Sequence, residues 1–173
     1  MSYRFDRLKV LVIDDNLHMR RLVAAVLEAF GIKTVFEAEN ANGGWQIFRT
    51  EPWDLIFLDW VMDGMSGLEF AEKVRTSPDS PNPFVPIVML TGHTSIERVN
   101  AARDAGINEF LAKPVSAKAI MNRLVAVIEH PRSFIRTKGY FGPCRRRRRD
   151  GAYQGAERRT CEFESQNTSS NAA

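Results

Sequence analysis

Cysteine is scarce: the chain of 173 residues has two, Cys144 and Cys161, beside three histidines. Two thiols do not make a disulfide framework. Neither lies in a CxxC pattern or among clustered histidines, so no zinc site is expected. Both read as reduced thiols in a C-terminal tail. Long apolar runs are missing as well. None approaches the roughly 18 residues of a membrane span, and the N-terminal stretch lacks a secretory leader pattern. These absences point to a soluble, cytoplasmic chain with no membrane span.

What is present suffices for a core. The apolar fraction is 44%, and the length allows one ordinary domain and a remainder. Charge is divided along the chain. Residues 1–130 hold 14 Lys+Arg against 17 Asp+Glu, a net −3; residues 131–173 hold 10 against 4, a net +6. The division predicts a folded body over 7–130 and a basic, largely disordered tail over 131–173.

The body is punctuated regularly. Lys9 to Ile13 is a β-branched and apolar run, a buried strand. Asp14-Asp15-Asn16 follows, and Asp15 or Asn16 can cap the next helix, which carries Leu22, Val26, Leu27 and Phe30 at helical spacing and stops at Gly31. Thr34 to Ala38 is a second strand. A short helix with Trp45, Ile47 and Phe48 comes next, weakened in its first turn by Gly43-Gly44. Leu55 to Asp59 is a third strand, four apolar residues ending in a carboxylate. A loop, Trp60 to Ser66, leads to a helix over 68–75. Three prolines between Ser77 and Pro83 mark a loop. Pro86 to Thr91 is strand four, Ser95 to Ala105 an amphipathic helix ended by Gly106, and Glu109 to Lys113 a short fifth strand cut by Pro114. Ser116 caps a last helix with Ile120, Leu124, Val127 and Ile128 on one face.

Strands and helices alternating five times predict a doubly wound α/β domain with a parallel sheet. The flavodoxin-like order 2-1-3-4-5 is the economical choice, with its switch point between strands one and three. Asp14, Asp15 and Asp59 then meet at one sheet edge. Two unit charges ~4 Å apart repel by roughly 4 kcal/mol at an effective dielectric of about 20, so a purely structural role would not gather them. Oxygen ligands without imidazole or thiolate suit Mg²⁺. Thr91 ends strand four and Lys113 ends strand five. A hydroxyl, a cation and a divalent metal around one aspartate describe a phosphoryl pocket, and aspartate is a nucleophile toward phosphorus.

The set Asp14-Asp15, Asp59, Thr91-Gly92, Phe110 and Lys113-Pro114 resembles the receiver domain of bacterial two-component response regulators, chemotaxis-regulator-like, over about residues 7–130. The resemblance implies that Asp59 accepts a phosphoryl group from a histidine kinase or phosphotransfer protein. Asp15, Asp59 and the backbone carbonyl of Val61 would hold Mg²⁺, with Asp14 helping through water. Lys113 would pair with Asp59 and then with the phosphoryl group, and Thr91 would move its hydroxyl to it. Phe110 would turn inward and alter the face made by helix four, strand five and helix five, where a downstream protein binds. Lys113-Pro114 would be a cis bond. Such a protein is a phospho-switch with self-catalysed phosphoryl transfer and dephosphorylation, not a conventional enzyme. One departure is Asp63, where the family usually carries proline. His93, two residues past Thr91, either meets the attacking water or faces solvent. Trp60 borders the site and is placed to report metal binding by fluorescence.

The remainder is too short and irregular for a helix-turn-helix output module, so the chain reads as a single-domain regulator. Low hydrophobicity predicts disorder from about Cys144 onward. The pairs Phe134-Ile135 and Tyr140-Phe141 can instead anchor the start of the tail on the body. Arg145 to Arg149 form a like-charge block with three readings: a solvated tail, a fold-back onto the acidic body, or a non-specific contact to nucleic acid or anionic membrane. The alternative function is therefore a phosphorylation-independent adaptor or nucleic-acid-binding protein acting through this tail. A phosphatase would want Asp-x-Asp at the end of strand one, which Asp14-Asp15-Asn16 does not supply. Nucleic-acid binding through the arginines is expected to fall steeply with salt; equal affinity at low and moderate salt in a filter-binding titration excludes it.

Overall fold

The computed structural model of the chain describes residues 5–92 and 95–144 and the backbone of 162–164. Strands β1 (Lys9–Ile13), β2 (Thr34–Ala38), β3 (Leu55–Asp59), β4 (Ile87–Thr91) and β5 (Glu109–Ala112) form one parallel sheet in the order β2-β1-β3-β4-β5. Helices α1 (Leu17–Ala29), α2 (Ala41–Phe48), α3 (Gly67–Thr76), α4 (Ile96–Asp104) and α5 (Ala117–Glu129) alternate with them. The expected fold class and strand order are both present. Among the described residues no helix is long and apolar enough to cross a membrane.

The continuous apolar runs of β1, β3 and β4 follow from burial on both faces. Side chains alternate across the sheet. Leu11, Ile13, Ile56, Leu58, Ile87 and Met89 join one cluster with Trp45 and Phe48 of α2, Phe70 and Val74 of α3 and Ala102 of α4. Val10, Val12, Leu55, Phe57, Val88 and Leu90 join the other with Val23 and Leu27 of α1 and Ile120 and Leu124 of α5. Helix starts are fixed by side-chain caps. Asn16, not Asp15, accepts from Met19 N at 3.1 Å, Ser116 accepts from Ala119 N at 3.2 Å, and Ser66 with Glu69 forms a capping box. The weak glycine turn of α2 has a packing reason: a Cβ at Gly44 would lie 2.5 Å from Ile13 Cδ1, so a larger residue there would have to displace that side chain for α2 to seat on β1.

At the start of the tail, residues 134–143 take the anchored alternative. Strands β6 (Phe134–Thr137) and β7 (Tyr140–Pro143) pair antiparallel, and β8 (Glu162–Glu164) pairs with the other edge of β6. Residues 145–161 and 165–173, including Arg145 to Arg149 and Cys161, lie outside the described residues. The hairpin finds a partner that local composition does not show. Phe134 and Phe141 pack against Phe84 with ring centroids 5.3 and 5.1 Å away, so the anchoring alternative holds for these residues.

Beneath the hairpin lies Arg75, buried at the end of α3. Its guanidinium has five N–H donors, and each finds a neutral oxygen. Nε and Nη2 donate to Gly106 O at 3.1 and 3.0 Å, Nη1 to Pro83 O and Val85 O at 2.7 Å each, and Nη2 also to Asn108 Oδ1 at 3.0 Å. The Phe134 ring covers it, 5.0 Å from centroid to Cζ. Burial pushes its pKa down to about 9, which leaves it charged at neutral pH. One side chain thus ties together the end of α3, the loop before β4 and the α4–β5 junction. Arg75→Ala removes the donor that the carbonyls of Pro83, Val85 and Gly106 share and is expected to cost about 3–5 kcal/mol. Arg75→Lys recovers only part of this, because three donors on one point cannot reach that spread. Urea unfolding checks both, and an Arg75→Ala chain as stable as wild type contradicts the assignment.

Candidate functional site

The sheet grows to one side of β1 with β2 and to the other side with β3. Ile13 pairs with Leu58 in parallel register, so Asp14 and Asp59 stand beside each other where those strands end. Asp15 joins them: each of the three carboxylates offers an oxygen within 4.8 Å of the others. Asp14 and Asp59 are buried and Asp15 is exposed. Thr91 is buried at the end of β4. Its carbonyl accepts from Lys113 N at 2.8 Å, which sets Lys113 one residue past β5 and level with the carboxylates.

Lys113 holds the cluster. Its Nζ donates to Asp14 Oδ2 at 2.9 Å and to Asp59 Oδ1 at 2.8 Å. Asp14 Oδ1 also accepts from Asn16 N, and Asp59 Oδ1 from Trp60 N, each at 2.8 Å. Burial and the neighbouring Asp14 charge push the Asp59 carboxyl above the ordinary range, against the pull of Lys113 and of the Trp60 N–H. Burial lowers Lys113, but the hydrogen bonds and charges of Asp59 and Asp14 more than offset it, and its pKa stands above the ordinary value. The Lys113-Pro114 bond is cis, as expected.

Other predicted positions fall nearby. Val61 is two residues past Asp59 in the β3–α3 loop, its side chain exposed. Phe110 is half-buried on β5, against the α2–α3–α4 cluster. His93 lies outside the described residues. Asp63 is exposed in the loop.

Three contributors were not legible as site residues. Arg20 Nη1 donates to Asp14 O at 2.7 Å and its Nε to Glu37 Oε2 at 3.2 Å, bracing the turn that carries Asp14 and Asp15. Arg123 Nε donates to Phe110 O at 2.6 Å, fixing the backbone of β5. Gly67 opens α3 with a Cβ position only 2.1 Å from Asp59 O, and its N–H closes the loop onto Trp60 O at 3.0 Å. The only sequence signal for Gly67 was a glycine just before an expected helix.

Buried oxygens, one bridging cation and a hydroxyl at neighbouring strand ends can bind a divalent metal and receive a phosphoryl group. Comparison with known proteins gives the family and its relatives. The response regulator receiver domain family matches residues 10–125. Chemotaxis protein CheY1 of Helicobacter pylori is 32% identical over 122 residues, 70% of this chain and 97% of that protein. Among solved structures, the chemotaxis response regulator CheY4 of Vibrio cholerae superposes with a TM-score of 0.64 at 30% identity, over 69% of this chain and 98% of its own. The receiver domain of the histidine kinase CKI1 of Arabidopsis thaliana, solved with Mg²⁺, gives 0.60 at 25% identity, over 68% and 91%.

Two outcomes follow from the geometry. Asp59 holds its proton more tightly folded than unfolded, so stability contributed by this group falls as pH rises above 3.8 and through its raised folded pKa. Asp59→Asn is therefore expected to be more stable than wild type at pH 7, the gain shrinking toward pH 4; urea unfolding at both values checks it, and no gain at pH 7 contradicts it. Gly67→Ala pushes on the Asp59 backbone, and displacement of that order costs about 10²-fold in rate. Phosphoryl uptake at the wild-type rate would rule out this role for Gly67.

Proposed function

The chain belongs to the response regulator receiver domain family, and we propose that it is a phospho-switch whose phosphoacceptor is Asp59. The observation that carries this reading is the single ammonium of Lys113 bridging Asp14 and Asp59 at the switch point of the sheet. A histidine kinase or phosphotransfer protein donates the group. Oδ1 of Asp59 takes the Lys113 and Trp60 bonds, so Oδ2 is the oxygen presented to phosphorus. Its bond to phosphorus forms as the donor's bond breaks, giving an acyl phosphate. Lys113 then follows the charge onto the phosphoryl oxygens, and the Thr91 hydroxyl supplies a further hydrogen bond. Water later cleaves the acyl phosphate and restores the carboxylate.

The donor set fits Mg²⁺: three clustered carboxylate oxygens and no nitrogen or sulfur ligand among them. Asp15, Asp59 and the Val61 carbonyl would hold the ion, with Asp14 acting through water. It supplies charge neutralisation for the transferring phosphoryl group. Phe110 is the switch residue, and the face of α4, β5 and α5 binds the downstream protein. The protein works in the cytoplasm. It is not a conventional enzyme, since both group transfers occur on its own aspartate.

Intact-protein mass after incubation with acetyl phosphate and Mg²⁺ tests this. Wild type is expected to gain one phosphoryl group, with none in Asp59→Ala and none with EDTA. Failure to gain it, from acetyl phosphate and from a kinase alike, overturns the reading. Saturating Mg²⁺, at about 100 times its Kd, is expected to raise wild-type stability by about 2.7 kcal/mol, and a urea midpoint unmoved by Mg²⁺ argues against the ion site.

A further inference from the structure

The family match ends at residue 125, before the β6–β7 hairpin begins. The hairpin seats at the base of the sheet, the end opposite the carboxylates, and Asn108 is the junction there. Its N–H donates to Ile87 O at 3.0 Å. Its Oδ1 accepts from Ile87 N and from Arg75 Nη2, both at 3.0 Å. Its carbonyl accepts from Nη1 of Arg132, on the segment leading into the hairpin, at 3.0 Å. Ile87 begins β4 and Asn108 immediately precedes β5. At their other ends these strands carry Thr91 and Lys113. Two strands that end in the site therefore start from one junction, and the hairpin segment is bonded to it.

The seat is close. A Cβ at Gly142 would lie 2.8 Å from Gly106 Cα, and one at Gly106, where φ is +83°, would lie 3.2 Å from Phe141 O. The Gly106 carbonyl is held by Arg75. Cys144 N donates to Ser133 O at 2.7 Å and closes the hairpin. Contacts packed this tightly change by shifting between arrangements rather than by gradual deformation.

We propose that the base of β4 and β5 is an interaction surface whose partner is the chain's own β6–β7 hairpin, and that the hairpin reads the state of Asp59 through those two strands. This rests on the reading of Asp59 as phosphoacceptor. Lys113 here bonds both Asp14 Oδ2 and Asp59 Oδ1, and the hairpin is seated with that pair of bonds in place. A phosphoryl group on Asp59 redraws the contacts of Lys113 and Thr91. Strands of five and four residues carry that shift to Ile87 and Asn108, and the seat loosens. Coupling of this kind is reciprocal: a change that loosens the seat favours the phosphorylated arrangement by the same factor.

Hydrogen exchange over residues 134–143 of the full chain tests it, in Mg²⁺ alone and in Mg²⁺ with beryllofluoride as the phosphoryl analogue. Analogue binding is followed by Trp60 fluorescence. Bound analogue is expected to speed hairpin exchange by about fivefold or more, with no effect in Asp59→Ala. Gly142→Val drives the hairpin off Gly106 without touching the carboxylates, and is expected to bind the analogue about fivefold more tightly; Phe141→Ala serves if Gly142→Val does not fold. Hairpin exchange unchanged by bound analogue, or unaltered affinity in a folded variant, overturns the proposal and leaves the Asp59 reading standing. No analogue binding to wild type overturns both.

Discussion

Mutual repulsion among three carboxylates is the constraint around which the molecule is arranged. Asp14, Asp15 and Asp59 are brought together by parallel register, and two of them are buried. Such a cluster does not assemble for its own stability. It is held because both faces of the sheet are packed by large apolar clusters that fix β1 and β3 side by side. Lys113, from near the other end of the body, takes up part of the charge. Burial, and after it the charge of Asp14, raises the pKa of Asp59. A site with negative charge to spare and one bridging cation can hold a divalent metal.

Close backbone approach makes this geometry possible. Gly44 lets α2 rest on Ile13, the last residue of β1. Gly67 lets α3 begin against the carbonyl of Asp59. Arg20 and Arg123 then pin the carbonyls of Asp14 and Phe110, so the turn and the strand that bear on the site are braced by side chains from α1 and α5. The sheet has two polar ends of different kinds. At one, anions outnumber the cation. At the other, the Arg75 cation is surrounded by neutral oxygens and an aromatic face.

The sequence showed the first end well and the second hardly at all. Uninterrupted apolar strands, each followed by a carboxylate, hydroxyl or lysine, made the fold order and the placement of Asp14, Asp59, Thr91 and Lys113 legible. Those signals are local: a strand's pattern says where it ends, and the α/β order says which ends meet. Arg75 looked like any cation near a helix end, because its acceptors lie in separate loops at Pro83, Val85, Gly106 and Asn108. The hairpin looked like the start of a basic tail, because Phe134 and Phe141 find their partner in Phe84, some fifty residues earlier. Gly67 was hidden for the same reason, since only the fold shows what its missing Cβ would strike. Long-range polar and aromatic contacts leave no periodicity to read.

The most direct measurement of the central claim is chemical mapping of the modified residue. An acyl phosphate is reduced by borohydride to the alcohol, which turns a phosphorylated aspartate into homoserine. After treatment with phosphodonor and Mg²⁺, tandem mass spectrometry of the reduced chain should find homoserine at position 59 alone. Homoserine at Asp14, Asp15 or Asp63, or at no position in a chain that has gained a phosphoryl group, would contradict the account.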